Sequence, residues 1–252
     1  MKARPALLRN WRRRLAAALL LTAALAGCST LPDLRADAGV AEALAMRERF
    51  AALARAGATV WPLDPARSNI RIYVFRAGAA ARVGHNHVLT APRFAGFLAW
   101  PADGNAASAQ FELDFALADL LIDPPGSRDG LGRAFASTVP PEAIAAARAN
   151  MLGEDNLQAA RYPRLRVRSL QVTGEAPKLM ARVAVELHGQ TREQWVALNV
   201  TGLPAASWRA DGRLVLRQSD FGVRPFSVLG GLIAVQDEVM IEFDLAGSAG
   251  AP

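Results

Sequence analysis

Hydrophobic positions along this chain follow two different periods. Across residues 38–56, Val40, Leu44, Met46, Phe50 and Leu53 recur at loosely helical spacing, and Gly57 follows as a stop, so a short helix is expected there. Such a helix serves either as a stalk or as an element docked on the domain that follows. After Trp61 the period shortens to two, as in Ile70, Ile72 and Val74, in Phe111, Leu113, Phe115 and Leu117, and in Val183, Val185 and Leu187. Alternation of this kind puts one row of apolar side chains on a single face of a strand. Further strands are expected over residues 83–90, 94–100, 165–172, 194–200, 212–218 and 238–245, which Gly, Pro, Asp or Asn residues separate. That makes eight or nine strands. Most connections are short, which favours antiparallel neighbours, because a parallel crossover needs a dozen or more residues.

One interruption is long. Between Asp123 and Tyr162, Pro140-Pro141-Glu142 is a good helix start, residues 143–152 read as helix, and a further helical turn is expected over 155–160. An insertion of this size in an antiparallel sheet covers an open end or carries function.

The first 27 residues have a basic beginning, with Lys2, Arg4, Arg9, Arg12, Arg13 and Arg14, followed by an apolar run to Ala26. That run is about a dozen residues, short of the roughly 20 that cross a bilayer. It ends at Leu25-Ala26-Gly27-Cys28, which resembles the lipobox of bacterial lipoprotein signals. The resemblance implies cleavage before Cys28 and diacylation of its thiol. Cys28 is the only cysteine, so the chain forms no internal disulfide. Ser29 stands where an aspartate would retain the protein at the inner membrane in the sorting scheme that this signal resembles, so outer-membrane transfer is expected.

Removing that segment changes the meaning of the charge. Six of the 29 Lys and Arg precede Cys28 and none of the 23 Asp and Glu does, which leaves 23 basic residues against 23 acidic ones. The formal charge of +6 therefore belongs to the signal. A nucleic-acid partner is not expected, since polyanion binding needs a basic patch.

Several segments in order resemble one family: Trp61-Pro-Leu-Asp64-Pro65-Ala-Arg-Ser68, Phe94-Ala-Gly96-Phe97, Arg161-Tyr162-Pro163 with Ser169, Leu187-His188-Gly189-Gln-Thr191-Arg192, and Gln218-Ser219-Asp220-Phe221-Gly222. Their spacing between Trp61 and Leu245 resembles that of the YceI-like family. The resemblance implies an all-β fold, an extended eight-stranded antiparallel barrel similar to lipocalins, whose interior holds a polyisoprenoid or an isoprenoid quinone. Eight strands enclose a lumen wide enough for side chains or one slender ligand. Here an N-terminal helix and the helical insertion are added. Gly84-His85-Asn86-His87 is similar to a Gly-His-x-His branch of the family.

The expected organisation is a signal peptide over 1–27, a lipid-anchored tether over 28–59, the barrel over 60–246 and a flexible tail over 247–252. Candidate ligand-binding residues are His85, His87 and His188 with Phe111, Phe115, Trp195, Phe221 and Phe226. His85 and His87 are two apart on an expected strand and would share a face. Three imidazoles also form a weak alternative metal site, if His188 comes near the pair. For the aromatics, packed core and channel lining differ only in whether space remains, and the resemblance favours a partly open lumen. Ser219-Asp220-Phe221-Gly222 suits a tight turn, with Ser219 and Asp220 bonding nearby amides, because no nucleophile elbow or paired base accompanies it. Arg217 and Arg224 flank it and could meet a polar head group.

The expected function is non-enzymatic binding, storage or transport of an apolar isoprenoid lipid in the bacterial periplasm, with no cofactor. A histidine-centred metal or redox site acting on a quinone is one rival, and a structural envelope module with a solid barrel is another.

Overall fold

The computed structural model describes residues 34–205 and 207–248. Cys28 and the export segment lie outside the described residues. Residues 34–42 begin helix α1, Leu34–Arg55, and the rest of the helix belongs with the β domain that starts at Ala43.

The strands are β1 Thr59–Pro62, β2 Asn69–Ala77, β3 His87–Thr90, β4 Ala95–Trp100, β5 Gln110–Ala116, β6 Leu121–Ile122, β7 Arg164–Glu175, β8 Lys178–Leu187, β9 Gln190–Thr201, β10 Ser207–Arg217, β11 Ser227–Val228 and β12 Ile233–Ser248. The eight of six or more residues correspond to the eight-stranded expectation. Four short strands finish its edges. All pair antiparallel in one sheet of order β1-β4-β5-β7-β8-β9-β10-β12-β2-β3-β6, with β11 on β12. Gly247 and Ser248, expected in the tail, still pair with Trp208 and Ser207.

The sheet curls into a half-barrel, and the segment after β1 ties one end together. Leu63 bridges to Gly247, and the Asp64 amide donates to the Ala246 carbonyl at 2.8 Å. The Ser68 hydroxyl accepts from the Ala246 amide at 2.9 Å and donates to the Asp64 carbonyl at 2.6 Å. The Trp61 to Ser68 segment is therefore a clasp between β1 and the far end of β12, with the Trp61 ring fully buried beneath it. The β8–β9 turn has φ of 53° at His188 and 70° at Gly189, the left-handed pair of a two-residue hairpin loop. A Cβ on Gly189 would lie 2.6 Å from the Tyr162 ring, so only glycine fits.

The alternation has the expected polarity on β5. Phe111, Leu113 and Phe115 face the interior, while Glu112 and Asp114 face out yet are buried. Arg49 of α1 donates to both Glu112 oxygens, at 2.9 and 2.8 Å, and the Arg164 Nε donates to Asp114 at 2.7 Å. Met46 and Phe50 of α1 pack with Phe97 and Ala99 of β4, and the Phe50 and Phe97 rings stack at 5.3 Å. From Ala43 onward α1 is thus a docked element, bound through its apolar stripe to the outer wall of β4 and β5.

Two expectations over irregular segments are corrected. Residues 155–160 form turns, because Gln158 adopts φ 47° and its amide returns to the Gly153 carbonyl. Strand 83–90 shrinks to β3, because residues 81–83 form a 3₁₀ turn and the Asn86 side chain takes the Arg76 amide that a strand partner would have bonded. Helix α2, Pro141–Leu152, forms as expected inside the insertion. Among the described residues, no helix is long and apolar enough to cross a membrane.

Candidate functional site

Inside the barrel is a cavity of about 150 Å³ whose wall comes from all eight long strands and exposes no polar atom. Strand alternation produces it: every second residue points inward, and at those positions this chain carries Val, Leu, Ile, Phe or Trp almost without exception. Phe111 and Phe115 line it, as expected. A void this size in a packed interior forfeits dispersion contacts along its wall, so an apolar chain that fills it gains both those contacts and its own removal from water.

A second pocket of about 290 Å³ is lined by residues further along some of the same strands. On β2, Ile70 and Ile72 face the cavity and the next inward residues, Val74 and Arg76, face the pocket. On β10, Leu216 faces the cavity, and Gln218 just beyond the strand faces the pocket. Ala143, Ala147 and Met151 of α2 form part of its wall, so the insertion lies over this end of the lumen. His85, His87 and Phe226 line it too.

The histidines reach this pocket by a route that alternation did not indicate. His85 sits in the loop before β3, with Nδ1 3.2 Å from the Ser137 hydroxyl, and its ring centre is 6.3 Å from that of His87. Burial lowers the His85 pKa, and the charges of His87 and Arg128 add to that effect. His87 opens β3 and holds Nδ1 2.7 Å from the Asp123 carboxylate. The acceptor fixes the ring proton on Nδ1, which leaves Nε2 for whatever occupies the pocket.

Asp123 organises this network and was not among the expected site residues. Its side chain is 2% exposed. One oxygen accepts the Val88 amide at 2.8 Å, and the other accepts His87 and, at 3.1 Å, Arg128. Burial pushes its pKa up, but the hydrogen bonds from His87 and Val88 and the Arg128 charge outweigh that and hold it below the usual carboxylate range. Arg128 also donates to the Asn86, Phe135 and Ser137 carbonyls, stitching the insertion to the Gly84 to His87 segment. In the sequence, only the turn signal Pro124-Pro125-Gly126 marks this place.

The remaining candidates are dispersed. His188 lies on the β8–β9 turn, where Nδ1 is 3.0 Å from the Phe221 carbonyl and the ring meets Tyr162 edge-on at 4.7 Å. Among the described residues no group of three His, Cys, Asp or Glu is placed to hold a metal ion, so a site shared by His85, His87 and His188 does not form. Trp195 is half exposed on the outer face of β9, because its neighbours Val196 and Leu198 take the inward positions around it. Phe221 is fully buried as solid core, outside both spaces. Ser219 donates through its amide and its hydroxyl to Asp237, so it belongs to a turn, with Asp237 rather than Asp220 taking the amide. Arg217 pairs with Asp237 and Glu238, while Arg224 is an exposed side chain whose carbonyl accepts the Asn156 amide.

Two solved structures share this fold. Burkholderia cenocepacia BcnA is 18% identical, with a TM-score of 0.52, and the match covers 73% of this chain and 98% of that one. A polyisoprenoid binding domain from Saccharophagus degradans, implicated in plant cell wall breakdown, is 14% identical, with a TM-score of 0.51 over 75% of this chain and 98% of that one. Among curated proteins no sequence matches this chain. The YceI-like domain matches residues 61–246, from the clasp to near the end of β12, and the chain therefore belongs to the YceI-like domain family.

Proposed function

We propose that this protein binds a long apolar lipid, a polyisoprenoid or an isoprenoid quinone, in the barrel interior, and stores or carries it at the periplasmic side of a bacterial envelope membrane. The observation that carries the reading is the cavity bounded by all eight long strands with no polar atom in its wall. Such a wall offers a ligand only contact and exclusion from water, worth roughly 25 cal/mol for each Å² of apolar surface removed. A slender hydrocarbon takes full advantage of that, whereas a polar metabolite would lose its hydrogen bonds. The polyisoprenoid binding named for the Saccharophagus domain agrees with this reading. Binding of this kind uses no catalytic group and no cofactor.

Location enters through the sequence. Diacylation of Cys28 would tether the barrel to a leaflet, and Ser29 favours the outer membrane. The ligand would then be drawn from, and returned to, the bilayer beside the protein.

The test is organic extraction and native mass spectrometry of the folded protein purified from its own host. A prenyl lipid is expected, and Val183→Phe, which fills the cavity from β8, should abolish its recovery while the fold is retained. Recovery of no lipid from the wild-type protein would overturn the reading.

A further inference from the structure

Two loops meet beyond the C-terminal end of β2 and the start of β12, and both turn apolar side chains to water. The first, residues 78–84, contains the 3₁₀ turn over 81–83, and the second, residues 227–232, leads from β11 into β12. The Ala80 amide donates to the Leu232 carbonyl at 2.8 Å, and a Cβ on Gly78 would lie 2.5 Å from that carbonyl oxygen, so the loops are held against each other. Val83 on the first loop and Val228, Leu229 and Leu232 on the second are exposed, Leu229 to 70%. Gly230 and Gly231 project clear of the molecule, since a Cβ on either would meet no atom within 4 Å. Their φ angles of 65° and 88° follow one of 52° at Leu229. Glycine adopts such angles freely, but a leucine there is strained, and in water its side chain gains no burial in return. Strain of this kind persists where it serves a purpose.

The charge around this tip has one sign. Residues 75–86 and 221–236 hold Arg76, Arg82 and Arg224 and no Asp or Glu, in a chain with 23 acids. Arg82 and Arg224 are exposed. The acids next in sequence are Asp220, Asp237 and Glu238, and the last two pair with Arg217. Apolar loop ends flanked by arginines match the boundary of an anionic bilayer, where leucine and valine reach the edge of the acyl chains and guanidinium groups stay among the phosphates. An irregular loop does not enter the hydrocarbon itself, so the contact belongs at head-group depth. A folded protein partner would need a surface of matching shape, which two projecting loop ends do not offer. We infer that the 78–84 and 227–232 loops dock on the surface of an anionic lipid bilayer and orient the barrel against the membrane. The inference rests on the Cys28 tether of the proposed function: contact by a few side chains is weak for a free protein and effective once a tether keeps the bilayer within reach.

The test uses the full chain purified from the envelope of its host and reconstituted on vesicles of phosphatidylethanolamine and phosphatidylglycerol. Leu229→Cys carries a polarity-sensitive fluorophore at the tip, and Met180→Cys carries it at an exposed position on the outer face of β8. Wild-type protein labelled in parallel reports any reaction at Cys28. The probe at 229 should shift to the blue and be quenched by nitroxide-bearing lipid, while the probe at 180 should do neither. Arg82→Gln should lower the ratio of docked to free tip roughly fivefold, the effect of one basic residue at an anionic surface, and vesicles of phosphatidylcholine alone should lower it further. Protein that stays on the vesicles with the probe at 229 in water, or with both probes quenched alike, overturns the docking tip and leaves the tether standing. A probe that remains in water on vesicles but shifts when solubilised envelope proteins are added assigns the tip to a protein partner and equally overturns the inference. Protein that leaves the vesicles overturns tether and tip together.

Discussion

Removing the Asp123 carboxylate strands three donors at once: the Val88 amide, the His87 ring and the Arg128 guanidinium. Arg128 is 12% exposed at its side chain and would be left charged without an acid beside it. Asp123→Ala should therefore cost about 3–5 kcal/mol in chemical denaturation, the range for breaking a buried ion pair from one side. The same carboxylate gives the fold an acid limit. Its folded pKa lies below the unfolded value, so its contribution is present above the ordinary carboxylate range and is lost as pH falls through the lowered folded value. Stability measured between pH 5 and pH 2 should decline less steeply in Asp123→Asn than in the wild-type protein. At this scale the sequence was least informative. Gly84-His85-Asn86-His87 was visible as unusual, but its partners Asp123, Arg128 and Ser137 come from 36 to 52 positions away. Pairing across such distances is a property of the folded insertion, and no local pattern encodes it. Trp195 shows the opposite difficulty: aromatic character suggested an inward residue, while its parity, opposite to that of Val196 and Leu198, placed it outside.

Elements were far more legible, because a strand with one buried face writes its period into the sequence. Expected segments match β5 and β8 in place and polarity, 238–245 falls within the longer β12, and the Pro140-Pro141-Glu142 start led into α2 as read. Deviations occurred where side chains replace backbone as hydrogen-bond partners, as Asn86 does for Arg76, or where a residue adopts positive φ, as Gln158 does. Helix α1 was legible as a helix, although its spacing left open what it touches. The stacked Phe50 and Phe97 rings answer this for the portion after Ala43. Phe50→Ala should weaken the docking of the helix on the barrel by about 3–5 kcal/mol. Hydrogen exchange provides the check, with faster exchange of the amides around Met46 and Phe50 and little change in β7 to β10. At the β8–β9 turn, Gly189→Ala should lower stability by about 1–2 kcal/mol through left-handed strain and contact with Tyr162, measured by thermal unfolding.

At the scale of the whole molecule, anchoring and folding should be separable. A chain starting after Cys28 and exported by a cleavable signal should be recovered folded in the soluble periplasmic fraction, since its acids and bases balance and the acyl chains supply the membrane affinity. Tight membrane association of that product would instead assign membrane binding to α1 or the barrel. The cavity leads to one more consequence. A wall with no donor or acceptor has no marks along its length, so it cannot tell one isoprene unit from the next. Translation of a hydrocarbon along it changes little in energy, and the tail is free to slide until something at an end stops it. Such a cavity works as a ruler without graduations. Affinity should climb with each added isoprene unit until the lumen is filled and then level off, which a titration with prenols of increasing length measures directly. Substituents along the chain should matter only through their bulk, so chemically distinct lipids of equal girth and length would compete for the same space on nearly equal terms.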